Sequence, residues 1–346
     1  LKGHQIALGR LGSRDAAALV VDGRLEDLLV DPAGLQAFAP GAILRGRVNR
    51  LMKGQGGVFV SLPDGATGYL RDRSGLREGQ NLLVQISGAA EPGKALPLTS
   101  RVLIRGRYGI ATPTAPGVNI SRSIRDPDRR AALQSLGQSV LAERETGLIL
   151  RSACAEAEDA EIAAELSQII DLATAISADA EGAPELLLDA PTPSETAWQD
   201  WSDPEPDAVE DADDMPEEIA DRVDALLSPR MSLSGGAFAL IEPTRALLAV
   251  DVNTGPDTSP KAALKANIAL ARDLPRQLRL RGLGGQIVID FAPISKRERG
   301  TLEQELKKSF RGDGGDAVLL GWTAMGLFEL TRKRDRVPLA LLLEQG

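Results

Sequence analysis

The spacing of apolar positions changes along this 346-residue chain, and the changes divide it into parts. Residues 1–38 carry short apolar pieces, "IALGRLG" and "AALVVDGRLEDLLV", that read as strands turning at Gly12 and at Asp22-Gly23. After Pro40-Gly41 the apolar runs become closely spaced: "AILRGRVNRL", "GGVFVSL", "TGYLR", "NLLVQIS" and "ALPLTSRV". Turn signals at Lys53-Gly54, Pro63-Asp64-Gly65 and Pro92-Gly93 separate them. Five short strands with Gly-rich turns predict a small closed barrel, either an OB-fold or another β-barrel of that size.

Beyond residue 100 the period lengthens. "DPDRRAALQSLGQSVLAER", with Asp126 as a cap, and "DAEIAAELSQIIDLATAIS" repeat their apolar residues at helical spacing. Between them "TGLILRSACA" reads as a strand ending at Arg151-Ser152. Residues 183–218 combine prolines with dense acid and predict a linker or frayed return, followed by the helix "EEIADRVDALL". From 231 onward the pattern is α/β, with strands over 237–241, 246–252, 286–291 and 316–321 and helices over 260–281, 296–310 and 325–334. Pro275 predicts a kink or restart inside the first of these helices. The fold class is therefore a multidomain mixture of α/β and β parts.

Charge sharpens this division. The net charge is −9, but 203–224 alone holds eleven acidic residues and one basic, while 39–125 carries thirteen Lys/Arg against four Asp/Glu. A basic barrel module favours an anionic partner such as nucleic acid. No apolar run approaches the ~20 residues of a membrane helix, and the first residues lack the apolar core of a signal peptide. A single cysteine, Cys154, and a single histidine, His4, leave no internal disulfide, no multi-His metal site and no Cys-x-x-Cys knuckle. A reducing cytoplasm is the expected compartment.

The candidate chemistry lies in "LLAVDVNTG" and "GGQIVIDF". Each is an apolar strand pattern with an acid at its carboxyl end, Asp251 and Asp290, and Asn253 shares a face with Asp251. In an open α/β sheet such ends face the ligand crevice. Two carboxylates without His or Cys suit Mg²⁺ or Mn²⁺, ions that activate water and neutralise a phosphoryl oxygen in phosphodiester hydrolysis. An acid at a strand end also serves turns and helix caps, so pattern alone leaves both readings open. Arg276, Arg279 and Arg281 in "RQLRLRGLGG" are phosphate contacts or a backbone-capping face. In the barrel, Phe59 and Tyr69 lie on consecutive strands with Arg45, Arg47, Lys53 and Lys94 nearby. Such aromatics stack unpaired bases or fill the core.

These strings resemble a known family. "ALLAVDVNTG", "ARDLPRQLRLRGLGGQIVIDF" and "MGLFELTRKR" are similar to the catalytic core of the bacterial ribonuclease E/G family of endoribonucleases. "GAILRGRVNRL", "GVFVSL", "LREGQNLLVQI" and "GKALPLTS" are similar to its OB-type RNA-binding domain. The likeness runs over nearly the whole chain and is weakest between 153 and 230. It implies a ribonuclease-H-like split subdomain (1–38, with an acidic linker and remnant at 183–230) and an OB-fold barrel at 39–100. It further implies a 5′-sensor at 101–182 and a DNase-I-like catalytic domain at 231–346. By the same resemblance Asp251 and Asp290 hold a catalytic Mg²⁺, with Mn²⁺ as an alternative, and Asn253 stands beside them. Phe59, Tyr69, Lys94 and Arg122 contact single-stranded RNA, while Arg151, Ser152, Gly106 and Ile110 form a pocket for a 5′-monophosphate.

The implied activity is cleavage of single-stranded RNA to 5′-phosphate and 3′-hydroxyl ends, in RNA processing or decay. Two other readings remain: a non-catalytic RNA-binding relative, and a metal-dependent phosphodiesterase for small nucleotides. The family's zinc-linking Cys-Pro-x-Cys pair has no counterpart here, so no zinc is expected and the chain is either a monomer or an oligomer formed without zinc. Ala324-Met325 stands where the family commonly has Arg-Phe.

Overall fold

A computed structural model of the protein describes residues 3–49, 56–71, 74–313 and 315–344; Lys53 lies outside them. The chain forms two compact units, one of residues 1–8, 21–23 and 31–211, the other of 9–20, 24–30 and 212–346. The N-terminal alternation gives β1 (His4–Leu11), β2 (Arg14–Val21) and β3 (Arg24–Val30). With a later strand, β14 (Ala208–Asp214), they make a sheet in the order β14-β1-β2-β3. Asp22 and Gly23 both take positive φ, 48° and 75°, which suits the tight turn between β2 and β3.

In the first unit, β4 (Ile43–Val48), β5 (Val58–Ser61), β6 (Thr67–Leu70), β7 (Asn81–Ile86) and β8 (Leu96–Thr99) run in the order β4-β5-β6-β8-β7. A β4–β7 pairing closes the ring, and β6 pairs with β8 in parallel. This is a five-stranded, OB-like closed barrel. Val58, Val60, Leu70, Val84 and Leu98 fill it. A second sheet follows, β11-β12-β10-β9, built from β9 (Ile104–Arg105), β10 (Gly109–Thr112), β11 (Gly117–Ile120) and β12 (Gly147–Leu150). Helices α1 (Pro127–Leu141) and α2 (Asp159–Ala178) cover it through Leu133, Ile162, Leu166 and Ile170. The Asp126 carboxylate caps α1, accepting from the amide of Asp128 at 2.9 Å.

Of the two readings of 183–218, a linker or a frayed return, an unstructured linker is not what the segment forms. That stretch carries β13 (Glu185–Leu188), α3 (Pro193–Trp201) and β14, and α4 (Glu217–Leu227) follows. Its local signals are specific. Thr192 and Glu195 form a reciprocal capping box with Pro193 in the first turn, and Ala197 and Trp201 are buried four residues apart. The acid is accommodated because β14 is exposed along its whole length and because Glu185 pairs with Arg45. β13 lies antiparallel to the first half of β4. Arg45, only 5% exposed, also donates to Asp179 Oδ1 at 2.5 Å and to the Ala183 carbonyl at 2.6 Å.

The second unit is built on a six-stranded sheet, β15-β16-β17-β18-β20-β19. Its strands are β15 (Arg230–Ser232), β16 (Phe238–Pro243), β17 (Leu248–Asn253), β18 (Gly285–Asp290), β19 (Ala317–Trp322) and β20 (Phe328–Arg332). Only the β17–β18 pair is parallel, joined by the crossover helix α5 (Pro260–Leu280). α6 (Lys296–Arg311) packs beside α5, and a short α7 (Leu339–Leu343) follows β20. Residues 325–334 do not form the expected helix. Phe328, Leu330 and Arg332 are buried while Glu329 faces out, a period of two that makes β20 a strand between β18 and β19. α5 continues through Pro275 without a break, its Leu270, Ala271, Leu274 and Leu278 anchored in the core. No helix among the described residues is long and apolar enough to cross a membrane.

Candidate active site

Burial alternates along the central strands of the six-stranded sheet. Ala239, Ile241, Val250, Val252, Ile287, Ile289, Phe328 and Leu330 face the helices and form one core with α5 and α6. The intervening residues line the opposite face: Phe238 and Leu240 on β16, Asp251 and Asn253 on β17, Val288 and Asp290 on β18, Glu329 on β20. Both acids singled out in the sequence therefore lie on the face left uncovered by helices.

The parallel register sets Asp251 directly opposite Asp290, and both side chains are exposed. Neither has a Lys or Arg partner among the described residues. Asn253 Nδ2 donates to Asp251 Oδ2 at 2.8 Å, which fixes the orientation of that carboxylate and leaves its other oxygen free. Like charges directly opposite on neighbouring strands repel, so the pair is most stable with a cation between its members. No cluster of three or more His, Cys, Asp or Glu suited to a metal occurs among the described residues. Two carboxylates fit a hard ion that retains several waters, and Asp251 and Asp290 are the residues that would hold it. Glu329, register partner of Val288, adds a third acid to this face. Reading 325–334 as a helix hid it, although the alternation of "FELTR" carries the signal.

The arginines of "RQLRLRGLGG" are not presented to a ligand. Arg276 binds Asp273 at 2.7 and 2.8 Å and the Leu25 carbonyl at 2.6 Å. Arg279 pairs with Asp313 and donates to the Glu26 carbonyl at 2.8 Å. Arg281 is buried against Gln277 and the Ser228 carbonyl, and burial lowers its pKa to about 10. The backbone-capping alternative is the observed one: these guanidinium groups fasten α5 to β3 and its neighbours. Burial pushes the Asp273 carboxyl up, but Arg276, Arg24 and Gln277 outweigh it and hold the group below its ordinary range.

On the barrel, Phe59 and Tyr69 are register partners on β5 and β6, with ring centroids 5.3 Å apart at 59°. Val58, Val60 and Leu70 point inward, so both rings stand on the outer surface and not in the core. Gly57 leaves room for both strand and ring, since a Cβ there would come within 2.4 Å of the Leu70 carbonyl and 2.7 Å of the tyrosine ring. Lys94 precedes β8, whose Pro97 is the register partner of Tyr69, and pairs with Glu91. Arg47 donates to the Gly79 carbonyl at 3.1 Å, whereas the internal bonds of Arg45 remove it from the surface. Arg122 is exposed just after β11, in the second sheet and not in the barrel.

The second sheet brings Arg151 to Gly106, with Ile110 on β10 and Ser152 in the turn after β12. Arg151 Nη1 donates to the Gly106 carbonyl at 2.8 Å and to that of Gln199 at 2.8 Å. Its Nη2 pairs with Asp200 Oδ1 at 2.6 Å. A Cβ on Gly106 would collide with the Glu165 carboxylate and push it off the Tyr108 amide, from which it accepts at 2.7 Å. Arg151 and Gly106 thus meet, but the end of α3 occupies the guanidinium. The linker expectation for that segment conceals Asp200.

These features match known proteins. The chain is 27% identical over 376 aligned positions to ribonuclease E of Nostoc sp. PCC 7120, covering 92% of this chain and 54% of that protein. It is 24% identical over 386 positions to ribonuclease G of Escherichia coli K12, covering 94% and 78% respectively. The chain therefore spans about half the length of the cyanobacterial relative. The pattern of the Ribonuclease E/G family matches residues 103–214 and 214–335, and the chain belongs to that family.

Proposed function

We propose that this chain is a magnesium-dependent endoribonuclease that cuts single-stranded RNA in the cytoplasm during RNA processing or decay, with manganese as a possible substitute. The observation that carries this reading is the opposed pair Asp251 and Asp290, exposed, without a cationic partner among the described residues and braced by Asn253. A bound divalent ion supplies an activated water and neutralises charge on a phosphoryl oxygen. Asp251 and Asp290 would hold that ion at the open sheet face, and Asn253, by its hydrogen bond, would keep the Asp251 carboxylate turned to it. In-line attack adds the water oxygen to phosphorus and breaks the bond to the 3′ oxygen, which takes up a proton. The products carry a 5′-phosphate and a 3′-hydroxyl. Phe59 and Tyr69 offer stacking surfaces to unpaired bases, with Lys94 as a phosphate contact. Preference for a 5′-monophosphate requires that phosphate to replace Asp200 at Arg151.

The test is cleavage of a 5′-monophosphorylated single-stranded oligonucleotide with Mg²⁺. Asp251→Asn and Asp290→Asn should each lower the rate at least ~100-fold, on the order of 3 kcal/mol of barrier. Undiminished cleavage in either variant refutes the assignment of that residue. Tight binding by the unaltered chain, with no cleavage under Mg²⁺ or Mn²⁺, favours a non-catalytic RNA-binding protein.

A further inference from the structure

Arg230, on the edge strand β15, differs from several arginines of the second unit and, like Arg299 on Trp322, stacks on an aromatic ring. Arg24, Arg272, Arg279 and Arg332 each pair with a carboxylate. Arg230 has no acidic partner among the described residues. Its guanidinium carbon instead lies 3.5 Å from the centroid of the Phe238 ring. Both side chains are on the uncovered face of the sheet, and Arg230 is exposed.

Register fixes where this unit stands. Arg230 is opposite Leu240, Leu240 is opposite Asp251, and Asp251 is opposite Asp290, so the four form one row across the sheet. Two strand spacings, ~10 Å, separate the backbones of Arg230 and Asp251. Phe238 is in turn the register partner of Asn253. Stacking uses only the π face of a guanidinium and leaves its in-plane N–H donors free for a phosphate. A cation held flat on an aromatic ring and left without an acid suits an anion in the same row as the carboxylates.

We propose that Arg230, positioned by Phe238, binds a backbone phosphate of the RNA adjacent to the one at Asp251 and Asp290. This rests on the nuclease reading for the identity of the ligand, but its test does not depend on cleavage. Arg230 is a substrate-binding residue, and Phe238 is a positioning residue that acts through it.

The experiment measures binding of a single-stranded RNA oligonucleotide to the full chain carrying Asp251→Asn, as a function of salt. Arg230→Gln in that background should weaken binding roughly three- to tenfold and make the plot of log K against log salt shallower by about 0.7, the loss of one single-strand phosphate contact. Phe238→Leu should shift affinity and slope the same way, and Phe238→Tyr should restore both. In the otherwise unaltered chain, Arg230→Gln should lower kcat/KM without changing the Mg²⁺ concentration for half-maximal rate. Unchanged affinity and slope in Arg230→Gln overturn the proposal even if the unaltered chain cleaves RNA. A shallower slope in a chain that cleaves nothing upholds the contact and removes only the nuclease reading. Thermal unfolding of each variant identifies misfolding; if Phe238→Leu fails to fold, the exposed Arg230→Gln decides.

Discussion

Asp200 and Arg151 form an ion pair of 2.6 Å between the last turn of α3 and the end of β12, and this pair uses the guanidinium edge that a terminal phosphate of RNA would need. If Arg151 reads the RNA 5′ end, the carboxylate competes with the substrate. Asp200→Asn should raise the ratio of cleavage rates for 5′-monophosphorylated over 5′-hydroxyl RNA about three- to tenfold, equivalent to ~1 kcal/mol. Arg151→Ala should bring the ratio to one. A ratio that responds to neither change removes this pocket from substrate recognition.

The paired rings on the barrel predict a different loss. Phe59→Ala or Tyr69→Ala should weaken single-stranded RNA binding by ~1–3 kcal/mol per lost stacking partner. Because both side chains are on the outer surface, thermal stability should change little. Titration with a fluorescent oligonucleotide, alongside melting curves, separates the two effects. A large drop in melting temperature would mark the rings as structural.

Cys154 is fully buried, its Sγ 3.1 Å from the Tyr108 carbonyl, and burial pushes the thiol pKa up to about 11. A folded value above the unfolded one means that stability is complete below about 8.5 and falls as pH rises toward 11, by ~2–3 kcal/mol. Burial also raises Tyr108, which acts in the same direction. Urea unfolding at rising pH should show the decline, and Cys154→Ala should remove part of it. In native buffer near neutral pH the thiol should resist a disulfide reagent; rapid modification would contradict its burial.

The Asp313 side chain is 1% exposed and lies 3.2 Å from Arg332 Nε, with the Arg332 side chain 0% exposed and Arg279 paired to the same acid. Removing one member of such a group leaves buried charge uncompensated. Asp313→Ala should cost ~3–5 kcal/mol in equilibrium unfolding, and Asp313→Asn less. A cost under about 1 kcal/mol would show that Asp335, 3.1 Å from Arg332, is a sufficient partner.

The outward face of the six-stranded sheet is legible because Asp251 and Asn253 flank Val252 at a period of two and Asp290 ends the apolar run Ile287–Ile289. That the two acids stand opposite each other is not, since register depends on how α5 returns the chain to the sheet. β20 reads as a helix because Leu, Glu, Lys and Arg in "LFELTRKR" favour helix locally, while pairing on both sides imposes a strand. Acid density conceals α3, although Thr192-Pro193 and Glu195 spell out its start. Arg276, Arg279 and Arg281 illustrate the limit of composition. A basic cluster is readable in sequence, and so is Asp273 three residues before Arg276, but the β3 carbonyls and Asp313 that occupy the rest come from separations that no local pattern encodes.

The insertion of β13 alongside β4 bears on how the barrel is made during synthesis. One half of that edge is supplied by β5, a few residues later, and the other by residues 185–188, roughly 140 positions downstream. The buried Arg45 finds Asp179 and Glu185 only when that distant segment arrives. A ribosome that has released residues 39–100 has therefore delivered a ring that closes without its full border. Pairing so remote in sequence is slow to form and leaves an open edge in the interval. A fragment ending at residue 100 should inherit that open edge permanently, so association and aggregation, more than loss of the ring itself, are the hazards of excising the barrel.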